Sequence, residues 1–82
     1  RPEIKKQPEL NAVRRIAFIG ENSSYYKQRF LIVGKLVRII KPIETGGFIC
    51  EFVHDADRRA LNDRAGWSDM KKEYLFDCIK FK

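Results

Sequence analysis

Leu36-Val37-Arg38-Ile39-Ile40-Lys41 and Phe48-Ile49-Cys50-Glu51-Phe52-Val53 lie on either side of the short stretch Thr45-Gly46-Gly47. In the first run Val37 and Ile39 are predicted to face inward and Arg38 outward. In the second run Phe48, Cys50 and Phe52 are predicted to face inward and Glu51 outward, which is the pattern of a strand with one buried face. Pro42 ends the first run because it has no backbone N–H to donate to a ladder. Adjacent glycines between two such runs indicate a tight turn. This part of the sequence therefore predicts a β-hairpin.

Similar alternation occurs near both ends of the chain, in Val13–Ile19 before Gly20 and in the segment that closes at Phe81. The sequence predicts strands near residues 13–19, 35–41, 47–53 and 75–81, which form one antiparallel, strongly curved sheet. The expected common core consists of Ile16, Phe18, Val37, Ile39, Phe48, Phe52 and Phe76.

The connections between these strands differ in character. Residues 25–30 follow a Ser-rich turn and are predicted to form a long loop that carries the first partner surface. Residues 54–65 are polar and contain no β-branched residue, so a short helix or a long mobile loop is expected. Ser68-Asp69 can cap a single helical turn over residues 70–75. Residues 1–11, with Pro2 and Pro8, are predicted to be a flexible arm, and residues 12–82 a single domain.

The predicted order of elements is that of an SH3-like small barrel, in which a meander curls and a last strand covers its edges. Arg15–Gly20, Val33–Ile39 and the segment from Gly66-Trp67 to Phe76 also resemble small SH3-like barrels of bacterial phages and mobile elements. The resemblance covers residues 13–81 and implies a mostly β fold of four to five antiparallel strands with a short helical turn. The 54–65 insertion departs from the compact members of that group. No reaction and no fixed ligand follow from the resemblance.

Charge is distributed unevenly along the 82 residues. The net charge is +6, and residues 1–43 carry ten Lys or Arg and three Asp or Glu, whereas residues 44–82 carry seven and eight. The basic half fits either an anionic partner or a solvated surface with no specific partner. The apolar runs are far shorter than the roughly 18 residues of a membrane helix. A cytoplasmic monomer without membrane contact is expected.

The residue types give little indication of catalysis or of metal binding. His54 next to Asp55 could act as a base, but no nucleophile stands in an activating sequence context. Cys50 and Cys78 are predicted to be two small buried thiols, with a disulfide between neighbouring strands as the alternative. Together with His54 they make three soft ligands, whereas a structural zinc site uses four. The sequence predicts a non-enzymatic protein without cofactor or metal.

The candidate binding residues interleave aromatic rings with positive charge: Tyr25, Tyr26, Lys27, Arg29, Lys35, Arg38 and Trp67. Such residues suit a protein interface, and they also suit a nucleic acid, because rings stack on bases and cations neutralise phosphates. A third interpretation places one tyrosine in the barrel mouth and the other on the surface. Trp67 either covers one end of the barrel or forms an exposed shelf. A protein partner is favoured, because the six acidic residues within 55–77 would repel phosphate.

Overall fold

The computed structural model describes residues 10–82, so the expectation of a flexible arm lies, for residues 1–9, outside the described residues. The fold is mostly β, as predicted. Its elements are β1 (Val13–Ile19), a 3₁₀ helix (Tyr26–Leu31), β2 (Leu36–Pro42), β3 (Phe48–Phe52), α1 (Asp55–Ala65), β4 (Tyr74–Phe76) and β5 (Ile79–Phe81). None of the helices in residues 10–82 combines the length and the apolar character needed to cross a bilayer.

The five strands form one antiparallel sheet in the order β4-β3-β2-β1-β5. Strands β4 and β5 are therefore the two edges of the sheet, yet only Asp77 and Cys78 separate them along the chain. A connection of two residues cannot cross the width of a flat five-stranded sheet, since neighbouring strands lie about 4.8 Å apart. The sheet must curl until its edges approach each other at Asp77 and Cys78. Within residues 10–82, β4 and β5 share no ladder, so the sheet stays unclosed.

Two irregularities in register contribute to this curvature. One lies between Ile16 and Phe18 where β1 pairs with β5, and the other lies between Ile39 and Lys41 where β2 pairs with β3. An extra residue on one strand bends that strand and increases its twist. On β1 the extra residue also changes which side chains face the core. Ile16 and Ile19 are buried, whereas Phe18 is 52% exposed, so the prediction of Phe18 in the core is wrong.

The core lies on the inner face of the curled sheet and is rich in rings. Its buried hydrophobic members are Ile16, Ile19, Tyr25, Ile32, Val37, Ile39, Cys50, Phe52, Leu61, Tyr74 and Phe76. Tyr74 stacks on Phe76 with ring centroids 5.7 Å apart, and it meets Phe52 edge-on at 5.3 Å. Tyr25 adds a further edge-on contact to Phe76 at 4.9 Å. Such pairs contribute about 0.5–1.5 kcal/mol each beyond the burial of their area.

The polar segment after β3 is the helix α1, which confirms the helical alternative for residues 54–65. Its buried residues are Arg58, Leu61 and Asn62, so two of the three side chains that face the core are polar. Spacings of three and four residues place them on one side of a helix. Gly66 ends α1 with a left-handed φ of 75°, a conformation in which glycine carries no steric penalty.

A buried polar network attaches α1 to the segment that leads into β4. The Tyr74 hydroxyl donates to Asn62 Oδ1 at 2.5 Å, and Asn62 Nδ2 donates to the Lys71 carbonyl at 2.9 Å. The buried Arg58 donates to the carbonyls of Asp69 and Lys71 and, through Nε, to Asp55 at 2.8 Å. These carbonyls belong to no helix or strand, and the network supplies their hydrogen bonds.

The predicted helical turn before the last strand is shorter than expected. Ser68 Oγ accepts the Met70 N–H at 3.0 Å, and the Ser68 carbonyl accepts the Lys71 N–H at 3.1 Å. These bonds close one turn at residues 68–71. The prediction that the turn extends to Leu75 is wrong, because β4 begins at Tyr74 and its ladder with β3 requires extended backbone.

The two cysteines differ in exposure. Cys50 is buried, Cys78 is exposed, and both are free thiols. The prediction of two buried thiols is therefore wrong for Cys78, and the alternative of a disulfide is also wrong. Cys78 has a positive φ of 54°, and this turned backbone between β4 and β5 interrupts the alternation from which its burial was predicted.

The polar network predicts the effect of removing one hydroxyl. Tyr74→Phe would leave the Asn62 side-chain oxygen, buried in a residue that is 1% exposed, without this donor. We expect urea denaturation to show a loss of about 1–3 kcal/mol in the free energy of unfolding. Tyr26→Phe removes the same atom from a half-buried ring and should change the free energy by less than about 0.5 kcal/mol. Equal losses in the two variants would contradict a special role for the Tyr74 hydroxyl.

The difference between the thiols predicts their reactivity. Burial raises the pKa of the Cys50 thiol to about 12, so at neutral pH it is both protonated and inaccessible. Titration of the native protein with an aromatic disulfide reagent at pH 8 should release one equivalent quickly and the second only after denaturant is added. Cys78→Ser should abolish the fast phase. A fast phase that persists in this variant would show that Cys50 is accessible.

Candidate functional site

The predicted partner loop between β1 and β2 contains the 3₁₀ helix, which is held by buried side chains on both sides. Tyr25 precedes the helix and Ile32 follows it, and both belong to the core. The helix itself has no buried residue and packs against α1. Tyr26 and Leu31 pack against the core, whereas the exposed side chains of Lys27, Arg29 and Phe30 project from a backbone with fixed ends, as in a binding surface on a rigid support.

The start of this connection is attached to the turn between β4 and β5 by Asp77. One oxygen of that carboxylate accepts hydrogen bonds from the Ser23 hydroxyl at 3.0 Å and from the Ser24 N–H and hydroxyl, both at 3.2 Å. The Ser23 hydroxyl also accepts the Tyr25 N–H at 3.1 Å. Burial alone would raise the pKa of Asp77, but the hydrogen bonds from Ser23 and Ser24 outweigh it and hold the pKa below its usual value.

The two adjacent tyrosines of the predicted site separate. Tyr25 is 9% exposed and packs edge-on against Trp67 at 5.7 Å, whereas Tyr26 is half-buried at the start of the 3₁₀ helix. One ring is therefore inside the core, and the other is half-buried and packs against it. Burial raises the pKa of the Tyr25 hydroxyl. Trp67 is half-buried and packs against the core, and the Lys71 ammonium lies 5.5 Å from its ring centroid.

Cations lie over the rings of the 3₁₀ helix. The Arg29 guanidinium is 3.8 Å from the centroid of the Tyr26 ring, and it also donates to the Tyr26 carbonyl at 2.8 Å. Arg64, in the last turn of α1, places its guanidinium 5.5 Å from the ring of Phe30. Phe30 is 60% exposed. Lys27 is exposed on the same helix.

The remaining cations of the predicted set have acidic partners. Lys35 Nζ lies 3.7 Å from Asp57 of α1, and Arg38 Nε lies 3.4 Å from Glu51 on the neighbouring strand β3. The structure thus brings Tyr26, Lys27 and Arg29 together on one helix. Arg38 stands apart from them on the sheet, in the cross-strand pair with Glu51.

Phe30 belongs to the predicted partner loop of residues 25–30 but was not among the candidate binding residues, and neither was Arg64. Phe30 stands at the start of the apolar run Phe30-Leu31-Ile32-Val33, which reads as core-forming, and only Ile32 of these four is buried. Arg64 is far from Phe30 along the chain, and the contact arises because the 3₁₀ helix packs on α1. The one indication in the sequence was that Phe30 is an aromatic residue in a segment without a regular strand or helix pattern.

The residues considered for catalysis do not assemble into a reactive group. His54 is exposed and precedes α1, and Ser23 and Ser24 are bound to Asp77 rather than to an imidazole. Cys50 is buried. Within residues 10–82, no three side chains of His, Cys, Asp or Glu come together as metal ligands. An open hollow lies along the outer side of α1, and one of its carboxylates, that of Asp55, lies 2.8 Å from Arg59.

Comparison of the chain with protein-family models, with curated proteins and with solved structures finds no match.

The bonds to Asp77 predict a dependence of stability on pH. Because the pKa of Asp77 is lower in the folded protein, its stabilising contribution is complete above the pKa of an unfolded aspartate, about 3.9, and is lost as the pH falls through the folded value. Urea midpoints measured from pH 6 to pH 3 should show that Asp77→Asn is less stable than wild type at pH 6. The difference between the two midpoints should become smaller toward pH 3.

Asp63→Asn is the matched control. Asp63 is exposed on α1, and within residues 10–82 its side chain makes no hydrogen bond or ion pair. Its midpoints should follow those of wild type throughout. If the urea midpoints of Asp77→Asn and wild type differed by the same amount at every pH, the stabilisation could not be assigned to the ionised Asp77 carboxylate.

Proposed function

We propose that the protein is a non-catalytic binding module on an SH3-like small barrel, and that its ligand is a protein segment that docks on the 3₁₀ helix and the adjoining end of α1. The antiparallel order β4-β3-β2-β1-β5, with its edges joined by two residues, supports the barrel. The setting that fits this proposal is a cytoplasmic accessory protein of a phage or mobile element.

The observation that carries the proposal is the exposure of Phe30. Its ring is 60% exposed although the helix that bears it is fixed at both ends by the buried Tyr25 and Ile32. Placing a large ring in water forgoes about 1.5–3 kcal/mol that burial would provide. A partner that covers Phe30 recovers this free energy, and the fixed helix loses little entropy on binding.

The charges around Phe30 indicate the kind of segment that fits. Arg64 lies over the ring, Arg29 lies one residue before Phe30 on the 3₁₀ helix, and Lys27 is exposed on the same helix. Arginine and aromatic residues are enriched in protein interfaces, and a cationic rim favours carboxylates opposite it. The matching ligand is a peptide with an apolar anchor flanked by acidic residues.

The same surface suits nucleic acid less well. Asp57 and Arg64 are seven residues apart on α1 and therefore lie on the same side of that helix. Asp57 brings its negative charge to the border of the site, where it pairs with Lys35. Mixed charges are usual in protein interfaces, whereas a carboxylate repels a phosphate backbone.

The proposal predicts a binding defect for Phe30→Ala. We expect acidic peptides with one central Leu or Trp to shift the amide NMR signals of residues 26–33 and of the last turn of α1. A peptide with lysine in place of each acidic residue should cause no shifts. Phe30→Ala should weaken binding at least about tenfold, as expected for a central aromatic anchor, and Arg64→Gln should remove the preference for acidic peptides.

Leu75→Ala is the control, because Leu75 is also an exposed apolar residue, at 43%, but lies on β4. It should bind peptide as wild type does. The proposal fails if none of the acidic peptides shifts residues 26–33, or if the Leu75 variant loses as much affinity as the Phe30 variant.

A further inference from the structure

A second exposed surface lies on the outer face of the ribbon that β1 and β5 form. In this ribbon Ile16 pairs with Phe81 and Ile19 with Ile79, and these pairs face the core side. The register shift between them brings Phe18 opposite Lys80. Because paired residues share a face, the Phe18 ring and the Lys80 ammonium project outward side by side.

Further cations extend this surface along the ribbon. The Lys82 N–H donates to the Arg15 carbonyl at 2.8 Å, so these two residues are neighbours across the strands, and both are exposed. Alternation from Ile16 and Phe81 places both on the outer face. We name Arg15, Phe18, Lys80 and Lys82 the ribbon strip.

Hydrogen bonds hold the strip in place without neutralising it. Arg15 donates to the Gly34 carbonyl at 2.6 Å, and the neighbouring Arg14 donates through Nε to the Lys82 carbonyl at 2.8 Å. The Gly34 carbonyl is uncharged, so the positive charge of Arg15 remains available to a ligand. The ion pairs within residues 10–82 involve Lys35, Arg38, Arg58 and Arg59, none of which belongs to the strip.

The strip also differs from the 3₁₀ helix surface in having no Asp or Glu side chain among its four residues. The nearest acidic residues along the chain are Glu21, beyond the end of β1, and Asp77, before the start of β5. The Asp77 carboxylate is occupied by Ser23 and Ser24. An exposed ring among cations alone is the combination with which proteins bind unpaired nucleotides.

We propose that the ribbon strip binds single-stranded nucleic acid, with Phe18 stacked on a base and with Arg15, Lys80 and Lys82 contacting phosphates. The 52% exposure of Phe18 leaves ring surface free for stacking, which a base inside a duplex cannot use. The strip offers cations and a ring but no neutral polar side chain to read base edges or a 2′-hydroxyl. Binding therefore depends little on sequence and is similar for DNA and RNA.

This inference is independent of the proposed peptide site, since the two surfaces share no residue. The probes are a fluorescently labelled twelve-nucleotide oligo-dT, the corresponding oligo-U and a duplex of equal length, titrated with the full chain at 50 and 200 mM salt. We expect anisotropy to show binding of both single strands that weakens with salt, because phosphate contacts release counterions. The duplex should bind more weakly than either single strand.

Two variants locate the site. Phe18→Ala should weaken single-strand binding about tenfold through lost stacking, with little effect on the melting temperature because the ring lies outside the core. Lys80→Gln should flatten the salt dependence by about 0.7 in the logarithmic slope, the value for one phosphate contact on a single strand. It retains the ring and therefore tests the site even if Phe18→Ala were unstable.

Lys27→Gln is the matched control, because it removes the same charge from the 3₁₀ helix instead of the ribbon. It should leave both affinity and salt slope close to wild type. If Lys27→Gln and Lys80→Gln had equal effects, the binding would be explained by attraction to the net charge of the protein, and the proposal would be overturned. So would unchanged affinity in a folded Phe18→Ala variant, equal or tighter binding of the duplex, or absence of binding at 50 mM salt. Phe30→Ala should bind oligonucleotides normally, so failure of either proposal is separable from failure of the other.

Discussion

The position of Tyr74 is the constraint on which most of this small domain depends. Its ring stacks on Phe76 and meets Phe52 and Tyr25, and its hydroxyl donates to Asn62 of α1. One side chain thereby joins the sheet, the β1–β2 connection and the helix. On folding, a chain of 82 residues buries only about two thirds of the surface that its unfolded form exposes. The core is therefore small, and few such junctions can exist. Burial also raises the pKa of the Tyr74 hydroxyl, which keeps it a neutral donor.

The two proposed binding surfaces are consequences of that junction and of the short turn after it. With α1 held by Asn62 and Arg58, Arg64 at its far end reaches the ring of Phe30. With β4 held by Tyr74, the two residues after Phe76 direct the chain to the opposite edge of the sheet. Strand β5 can then pair with β1 and place Lys80 beside Phe18. Each surface therefore combines segments that are far apart in sequence. Buried side chains hold those segments in place.

Sequence periodicity predicted the sheet well and the site only in part. The strands predicted near residues 13–19, 35–41 and 47–53 match those observed at 13–19, 36–42 and 48–52, because each has one face largely in the core, although register shifts interrupt the alternation in β1 and β2. Phe18 was assigned to the wrong face, since a register shift is a property of two paired strands and leaves no mark on one of them. Tyr25 and Tyr26 look equivalent in sequence, and only tertiary packing, such as that of Tyr25 against Trp67, distinguishes the buried ring from the half-buried one.

By itself the sequence determined that this chain forms a curved antiparallel sheet with a hairpin at Gly46 and a basic N-terminal half, because alternation and charge are local properties that any fold of the chain must accommodate. Tertiary structure alone decided that α1 buries Arg58 and Asn62, which cation lies over which ring, and that Phe18 faces solvent. The physical reason is the same in each case. A polar side chain is buried only where residues distant in sequence supply its hydrogen bonds, and an apolar side chain is exposed where no such residues cover it. Those distant residues come close only once the sheet has curled.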